Sequence, residues 1–172
     1  MTQPPEQPTE SLPTAAYRKI QQLGLEPHPE GGYYRRFFTS NTNISTPTGE
    51  RPSATMIYYL LPQGAFSQWH RLRQEEIWIF MEGDPISVHH IDTEGVVHTD
   101  LLGREAHHKG QTVIPGNLWF AATPTEQPIE GYSLACCMVT PGFDFADFEL
   151  GNRDSLIRQF PHLSDLISRL TR

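Results

Sequence analysis

From Tyr33 onward, apolar and aromatic positions recur in short runs with polar residues between them. The runs fall at 33–39, 55–61, 66–71, 76–81, 86–92, 96–102, 111–114, 118–122 and 132–139. Short aromatic and β-branched runs with a period near two predict strands. Turn-prone segments punctuate them: Pro62-Gln63-Gly64, Glu82-Gly83-Asp84-Pro85, Thr93-Glu94-Gly95 and Pro115-Gly116-Asn117. Many short strands spaced this way predict an all-β barrel or sandwich.

The two ends of the chain carry a helical period instead. Leu12, Ala16, Ile20 and Leu23 predict a short N-terminal helix that stops at Gly24, with Pro27 just beyond. After Pro141-Gly142 the chain leaves the sheet. Leu156, Ile157 and Phe160, then Leu163, Leu166, Ile167 and Leu170, predict short C-terminal helices packed outside the barrel. Residues 41–52, rich in Asn, Thr, Ser and Pro, read as a surface loop. Residues 1–10 are polar and Pro-rich and read as a disordered tail, leaving 11–172 as one domain.

Alternation also sorts candidate residues by face. His70 and Leu72 share one side of their strand, and Trp69 and Arg71 take the other. Glu76, Trp78 and Phe80 share a face, so a Glu76 that looks inward brings both aromatic rings with it. Adjacent Cys136 and Cys137 point to opposite faces, which argues against a disulfide between them and for free thiols in a reducing cytosol.

A length of 172 residues suffices for one domain with a real core. The net charge of −7 and the lack of any Lys/Arg run argue against nucleic-acid and membrane-surface partners. No apolar stretch approaches the roughly 20 residues of a membrane-spanning helix, and the start of the chain lacks a signal-peptide pattern. A cytoplasmic location is the expectation. No hydrolase triad motif, phosphate loop or Cys-x-x-Cys zinc pattern is present.

Gly64, His70, Glu76 and Gly83 match the spacing of the first motif of a cupin barrel, with Leu72 where the second histidine would stand. Three blocks widen the likeness. They are His28-Pro29-Glu30-Gly31-Gly32-Tyr33-Tyr34-Arg35; His70-Arg71-Leu72 with Glu76 and Trp78-Ile79-Phe80; and Val113 to Ala122 together with Pro141-Gly142-Phe143-Asp144-Phe145-Ala146-Asp147-Phe148-Glu149. With these blocks the chain resembles the Cupin_5 (DUF985) family of RmlC-like cupins. The resemblance implies a double-stranded β-helix, a jelly-roll barrel with a small-molecule cavity, usually assembled as a homodimer. It supplies no reaction. The chain departs from the family pattern at Ile79, where members usually carry His, and at Arg36, where they usually carry Glu.

Cupin metal sites draw on two histidines, a glutamate and a third histidine from a second motif. Here the second histidine is Leu72, and the third position is Phe120, beside Trp119. Only His70 and Glu76 remain to hold a metal, whereas catalytic sites commonly use three protein ligands, so no cofactor is expected. His89 or His90 is a substitute by geometry. Without metal, His70 reads as a general base oriented by Glu76, with Tyr58 as the acid and Tyr59 and Tyr132 as alternatives. Trp78, Phe80, Trp119, Phe120 and Tyr132 are expected to wall the ligand pocket, and Arg35 to contact an anionic group. Phe143, Phe145 and Phe148 are expected to close one end of the barrel, with Asp144 and Asp147 as turn and cap residues. Three functions are compatible with these residues. One is a metal-independent isomerase or epimerase of a carbohydrate-like molecule. The others are a non-catalytic binding or sensor module and a metal-dependent oxygenase or isomerase with an unusual ligand set.

Overall fold

Helix α1 (Thr14–Leu23) forms where the helical spacing predicts it. It buries Ala16 and Ile20 and ends at Gly24, whose left-handed backbone returns its N–H to the carbonyls of Ile20 and Gln21. The structure, a computed structural model, describes residues 12–172. The tail read over residues 1–10 lies outside the described residues.

The strands are β1 (Glu26–Pro27), β2 (Tyr33–Thr39), β3 (Asn43–Thr46), β4 (Gly49–Pro52), β5 (Thr55–Pro62), β6 (Ser67–Leu72) and β7 (Glu75–Gly83). They continue as β8 (Ile86–Ile91), β9 (Val97–Leu102), β10 (Gln111–Ile114), β11 (Trp119–Pro124), β12 (Tyr132–Thr140) and β13 (Phe148–Leu150). Two antiparallel sheets make the barrel. One runs β1-β2-β5-β12-β7-β10 and the other β13-β6-β11-β8-β9. This is the double-stranded β-helix that the sequence pattern and the resemblance predict. The stretch 41–52, expected to be a loop, instead forms the β3–β4 hairpin, which pairs only with itself.

Side chains from the inner faces fill the space between the sheets. Tyr59, Leu61, Leu72, Trp78, Val88, Phe120, Ala135 and Cys137 are all buried there. Removing an aliphatic or aromatic side chain of this size from water contributes roughly 1.5–3 kcal/mol. Two smaller layers cover the outside. Helix α2 (Arg153–Gln159) and helix α3 (Ser164–Arg169) lay Leu156, Ile167 and Leu170 on Trp69, Ile91, Trp119 and Ala121. Helix α1 lays Ala16 and Ile20 on Leu60, Tyr132 and Leu134. The β7–β8 turn needs its glycine. Gly83 has φ +89, and a Cβ there would sit 2.2 Å from the Tyr132 carbonyl. Asp84 follows it, and its buried carboxyl accepts the backbone N–H groups of Ile129, Glu130 and Gly131 at 2.7–2.9 Å.

Candidate functional site

A tight turn between β1 and β2 carries the central residue of the site. The His28 N–H bonds to the Gly32 carbonyl and the Gly31 N–H to the His28 carbonyl, both at 3.0 Å. Gly31 and Gly32 take φ +112 and +69, which side chains bearing a Cβ rarely adopt. The turn is docked on the barrel by the Gln68 N–H, which donates to the Glu30 carbonyl at 2.9 Å, and by the Tyr59 hydroxyl, which donates to the Gly31 carbonyl at 2.7 Å. This turns the Glu30 side chain into the barrel, where it is 7% exposed.

Glu30 meets His70 there. His70 Nε2 lies 3.2 Å from Glu30 Oε2, and its Nδ1 lies 2.7 Å from the Gln68 carbonyl. A carbonyl only accepts, so Nδ1 carries a proton. Nε2 is thereby aimed at the Glu30 carboxylate. Ser67 donates its hydroxyl to Glu30 Oε1 at 2.9 Å, and His28 Nδ1 stands 3.5 Å from Oε2. Burial works to raise the Glu30 pKa. The charges of His70 and His28 and the hydroxyls of Ser67 and Tyr59 outweigh it, so Glu30 ionises below its ordinary range. Burial, opposed by Glu30 and aided by His70, holds His28 below the usual imidazole value.

Glu76 faces the same cavity and goes the other way. Desolvation, with the nearby Glu30 charge added to it, pushes its carboxyl well above the usual value against a single opposing hydrogen bond with Cys137. Burial does the same to the Cys137 thiol and the Tyr59 phenol, which stay protonated. One cavity thus holds two carboxyls whose acidities are driven in opposite directions. Divergent environments of this kind separate an acid from a base.

The rest of the lining is mainly apolar, with Tyr34, Ile57, Leu72, Val139, Phe143 and Phe148 around these polar groups. The Phe143–Phe148 segment closes the barrel end, as its aromatic pattern predicts. Rings of Phe143, Phe145 and Phe148 pack edge-on at 4.9–6.0 Å, and His28 stands against Phe148 at 6.1 Å. The free interior volume is about 30 Å³. That is room for one or two water molecules.

Of the residues singled out in the sequence, His70 and Glu76 reach this cavity, but Glu76 does not orient His70; Glu30 does. Tyr58, expected as the acid, lies outside the cavity, and its neighbour Tyr59 lines it. The inward residues of β5 are Ile57, Tyr59 and Leu61, so Tyr58 faces out, stacked on Phe37 at 4.4 Å. Tyr132 also lies outside, under α1, with its hydroxyl donated to Glu82 at 2.9 Å. Trp119 faces away from the barrel because its neighbour Phe120 faces in. The Arg71 guanidinium covers Trp119 at 4.6 Å. Arg35 is exposed over Tyr58 and does not touch the cavity. Trp78, Phe80 and Phe120 do point inward, but they pack the barrel rather than line the cavity: Trp78 meets Tyr59 edge-on at 5.4 Å, and Phe120 lies 4.0 Å from the His70 ring. Asp144 caps the turn after it through the Ala146 N–H, as expected. Asp147 instead lies buried, bonded to Arg51 at 2.9 Å and Gln74 at 2.7 Å. Glu30 was not singled out for the site. Its signal was the Gly31-Gly32 pair, a turn tight enough to fold a polar side chain inward.

The interior does not suit the metal common in barrels of this fold. Leu72 and Phe120 occupy the other histidine positions. Phe120 also pairs with both His70 and His90, so it separates them, and His90 stacks on His98 at 5.0 Å. His89 is held by Thr99 at 2.8 Å. Among the described residues, the three donors that gather within 4.8 Å of one another are Glu105, His107 and His108, on the loop between β9 and β10. The donors of His28, Glu30, His70 and Glu76 do not converge in this way.

Comparison with known proteins agrees with the fold. The family model Cupin_5, described as cupin superfamily (DUF985), matches residues 18–151. A hypothetical protein from Leishmania major is 31% identical with a TM-score of 0.85, over 91% of this chain and 98% of that one. A protein from Shewanella oneidensis is 36% identical with a TM-score of 0.82, over 90% and 96%. Oxalate decarboxylase from Bacillus subtilis superposes with a TM-score of 0.54 at 18% identity, over 84% of this chain and 36% of that one, a likeness of fold alone. No curated protein matches the chain.

Proposed function

The chain belongs to the Cupin_5 (DUF985) family of the cupin superfamily, and on that premise we propose that it binds a small organic molecule in the barrel and moves a proton on it without a metal. The observation that carries this reading is the pairing, in one cavity, of a Glu30 carboxylate held by His70 with a neutral Glu76. Proton transfer next to a carbonyl needs both. Glu30 would take the proton from the carbon beside the carbonyl, and the C–H electron pair would form the C=C bond of an enol. The carbonyl π pair would move to oxygen, which takes the Glu76 proton. Returning a proton to the other face or to the neighbouring carbon completes an epimerisation or an isomerisation. His70 is the positioning partner: its fixed Nδ1–H directs Nε2 at Glu30.

Solvent deuterium incorporation tests this reading. Hydroxyacetone and dihydroxyacetone in D₂O, followed by proton NMR, should exchange faster with the protein than in buffer. Glu30→Gln and His70→Gln should each lower that rate by about 100-fold or more, the usual contribution of a positioned acid–base group, while Tyr58→Phe leaves it unchanged. Exchange that is equal in the wild type and Glu30→Gln would falsify the assignment.

The small free volume favours a second reading, a binding module that closes over its ligand. It predicts ligand-dependent thermal stabilisation and no exchange.

A further inference from the structure

We propose that this cavity selects its ligand by charge: it admits a compact uncharged or cationic molecule and rejects anions, and the Glu30 carboxylate is the residue that sets the rule. The inference rests on the reading that the cavity is the ligand site, and it deepens that reading by naming the class of ligand.

Among the described residues, no lysine or arginine lines the cavity. The arginines around it are turned to other partners. Arg35 lies over Tyr58 on the outer face of the sheet, and Arg36 is exposed with its guanidinium on the Phe143 carbonyl and 5.8 Å from the Phe143 ring. Arg51 and Arg73 are drawn to Asp147, Arg71 is bound to Glu149, and Arg172 lies over Phe66. The charged group that does face the interior is Glu30, buried and already supplied with a neighbouring His70 and a Ser67 hydroxyl.

An anion entering the cavity would lose its hydration and meet the Glu30 charge, and the His70 imidazole beside it is already committed to that carboxylate. An uncharged carbonyl or amide loses much less hydration, and the neutral carboxylic acid of Glu76 can donate to it. A cation would be attracted by Glu30 and by the faces of Tyr34, Phe143 and Phe148. Phosphorylated sugars, nucleotide sugars and small carboxylates are therefore the wrong class for this pocket. Arg35, expected to contact an anion, lies outside this cavity.

Three probes of nearly one shape isolate charge: acetamide, acetate and acetamidinium. Their affinities for the intact protein at pH 7 can be ranked by saturation-transfer NMR titration. Acetamide and acetamidinium should bind at least about tenfold more tightly than acetate, and Glu30→Gln should erase most of that gap by improving acetate. Acetate binding as tightly as acetamide, no binding of acetamide at all, or a gap that Glu30→Gln leaves intact would each overturn the proposal. The wild-type ranking tests the charge rule even where Glu30→Gln does not fold. A protein that ranks the probes as expected and exchanges no deuterium keeps the charge rule and loses the proton-transfer reading; the reverse result separates them the other way.

Discussion

A neutral Glu76 has a direct thermodynamic signature, and Glu76→Gln exposes it. Unfolded, the carboxyl ionises near its ordinary value of 4.5; folded, desolvation and the neighbouring Glu30 charge delay ionisation to higher pH. Below 4.5 both states keep the proton, and ionisation does not affect stability. Above it only the unfolded state gives the proton up. Stability then falls by about 1.4 kcal/mol per pH unit until the folded carboxyl ionises too. Glutamine keeps the shape and has no proton to lose. The stability of Glu76→Gln relative to the wild type should therefore rise with pH between 5 and 7, by up to about 2.6 kcal/mol. Its fixed difference, from an amide replacing an acid beside Cys137, is the same at both pH values. Urea unfolding at pH 5, 6 and 7, read by the fluorescence of the three tryptophans, measures the difference directly. A difference constant to within about 0.5 kcal/mol over that range would mean that Glu76 is ionised in the fold, and the acid–base pairing in the cavity would be lost with it.

Gly32→Ala should destabilise the fold by at least about 2 kcal/mol, since φ is +69 and the new Cβ would lie 2.7 Å from the Leu60 carbonyl; a drop in Tm of roughly 4 °C or more checks it. Tyr59→Phe removes the hydroxyl that binds the Gly31 carbonyl and should cost about 1–3 kcal/mol in chemical denaturation, whereas Tyr58→Phe should stay within about 0.5 kcal/mol; the opposite order would place the wrong tyrosine inside the barrel. Phe148→Ala should admit benzamide to a cavity that excludes it in the wild type, at a stability loss of about 2 kcal/mol; equal benzamide binding by both proteins would show that this ring does not close the site.

Most of the barrel is readable from the sequence because its strands announce themselves by alternation and turns. The runs at 33–39 and 111–114 coincide with β2 and β10, and the helical stop at Gly24 is where α1 ends. The β3–β4 hairpin escapes such a reading because its residues are mostly exposed and carry no apolar face to alternate. Faces were harder to assign than strands. In β5, Tyr58, Tyr59, Leu60 and Leu61 are apolar or aromatic on both sides, because α1 covers the outside as the barrel core covers the inside. A strand covered on both faces loses its alternation, so Tyr58 and Tyr59 look equivalent. Trp119 and Phe120 pose the same problem, with the C-terminal helices as the outer cover. Glu30 has no periodic signal at all, since it lies on a turn. The protonation of Glu76 depends on what surrounds it in three dimensions, and that appears only once Glu30, Cys137 and the apolar walls are assembled.

The aromatic closure also governs timing. The Phe143–Phe148 segment is tethered at its start, where the Phe143 N–H bonds to Thr55 Oγ1 at 2.9 Å, and near its end, where Asp147 is bound to Arg51. Between these anchors Phe145 is half exposed. With about 30 Å³ free beneath the rings, a ligand larger than a water or two enters only after they swing aside. On the proposed ligand-binding reading, entry would then be limited by the protein's own opening rather than by encounter. Rapid mixing would show an observed binding rate that climbs with ligand concentration and then levels at the opening rate. The same barrier would lengthen the residence of whatever molecule the barrel holds.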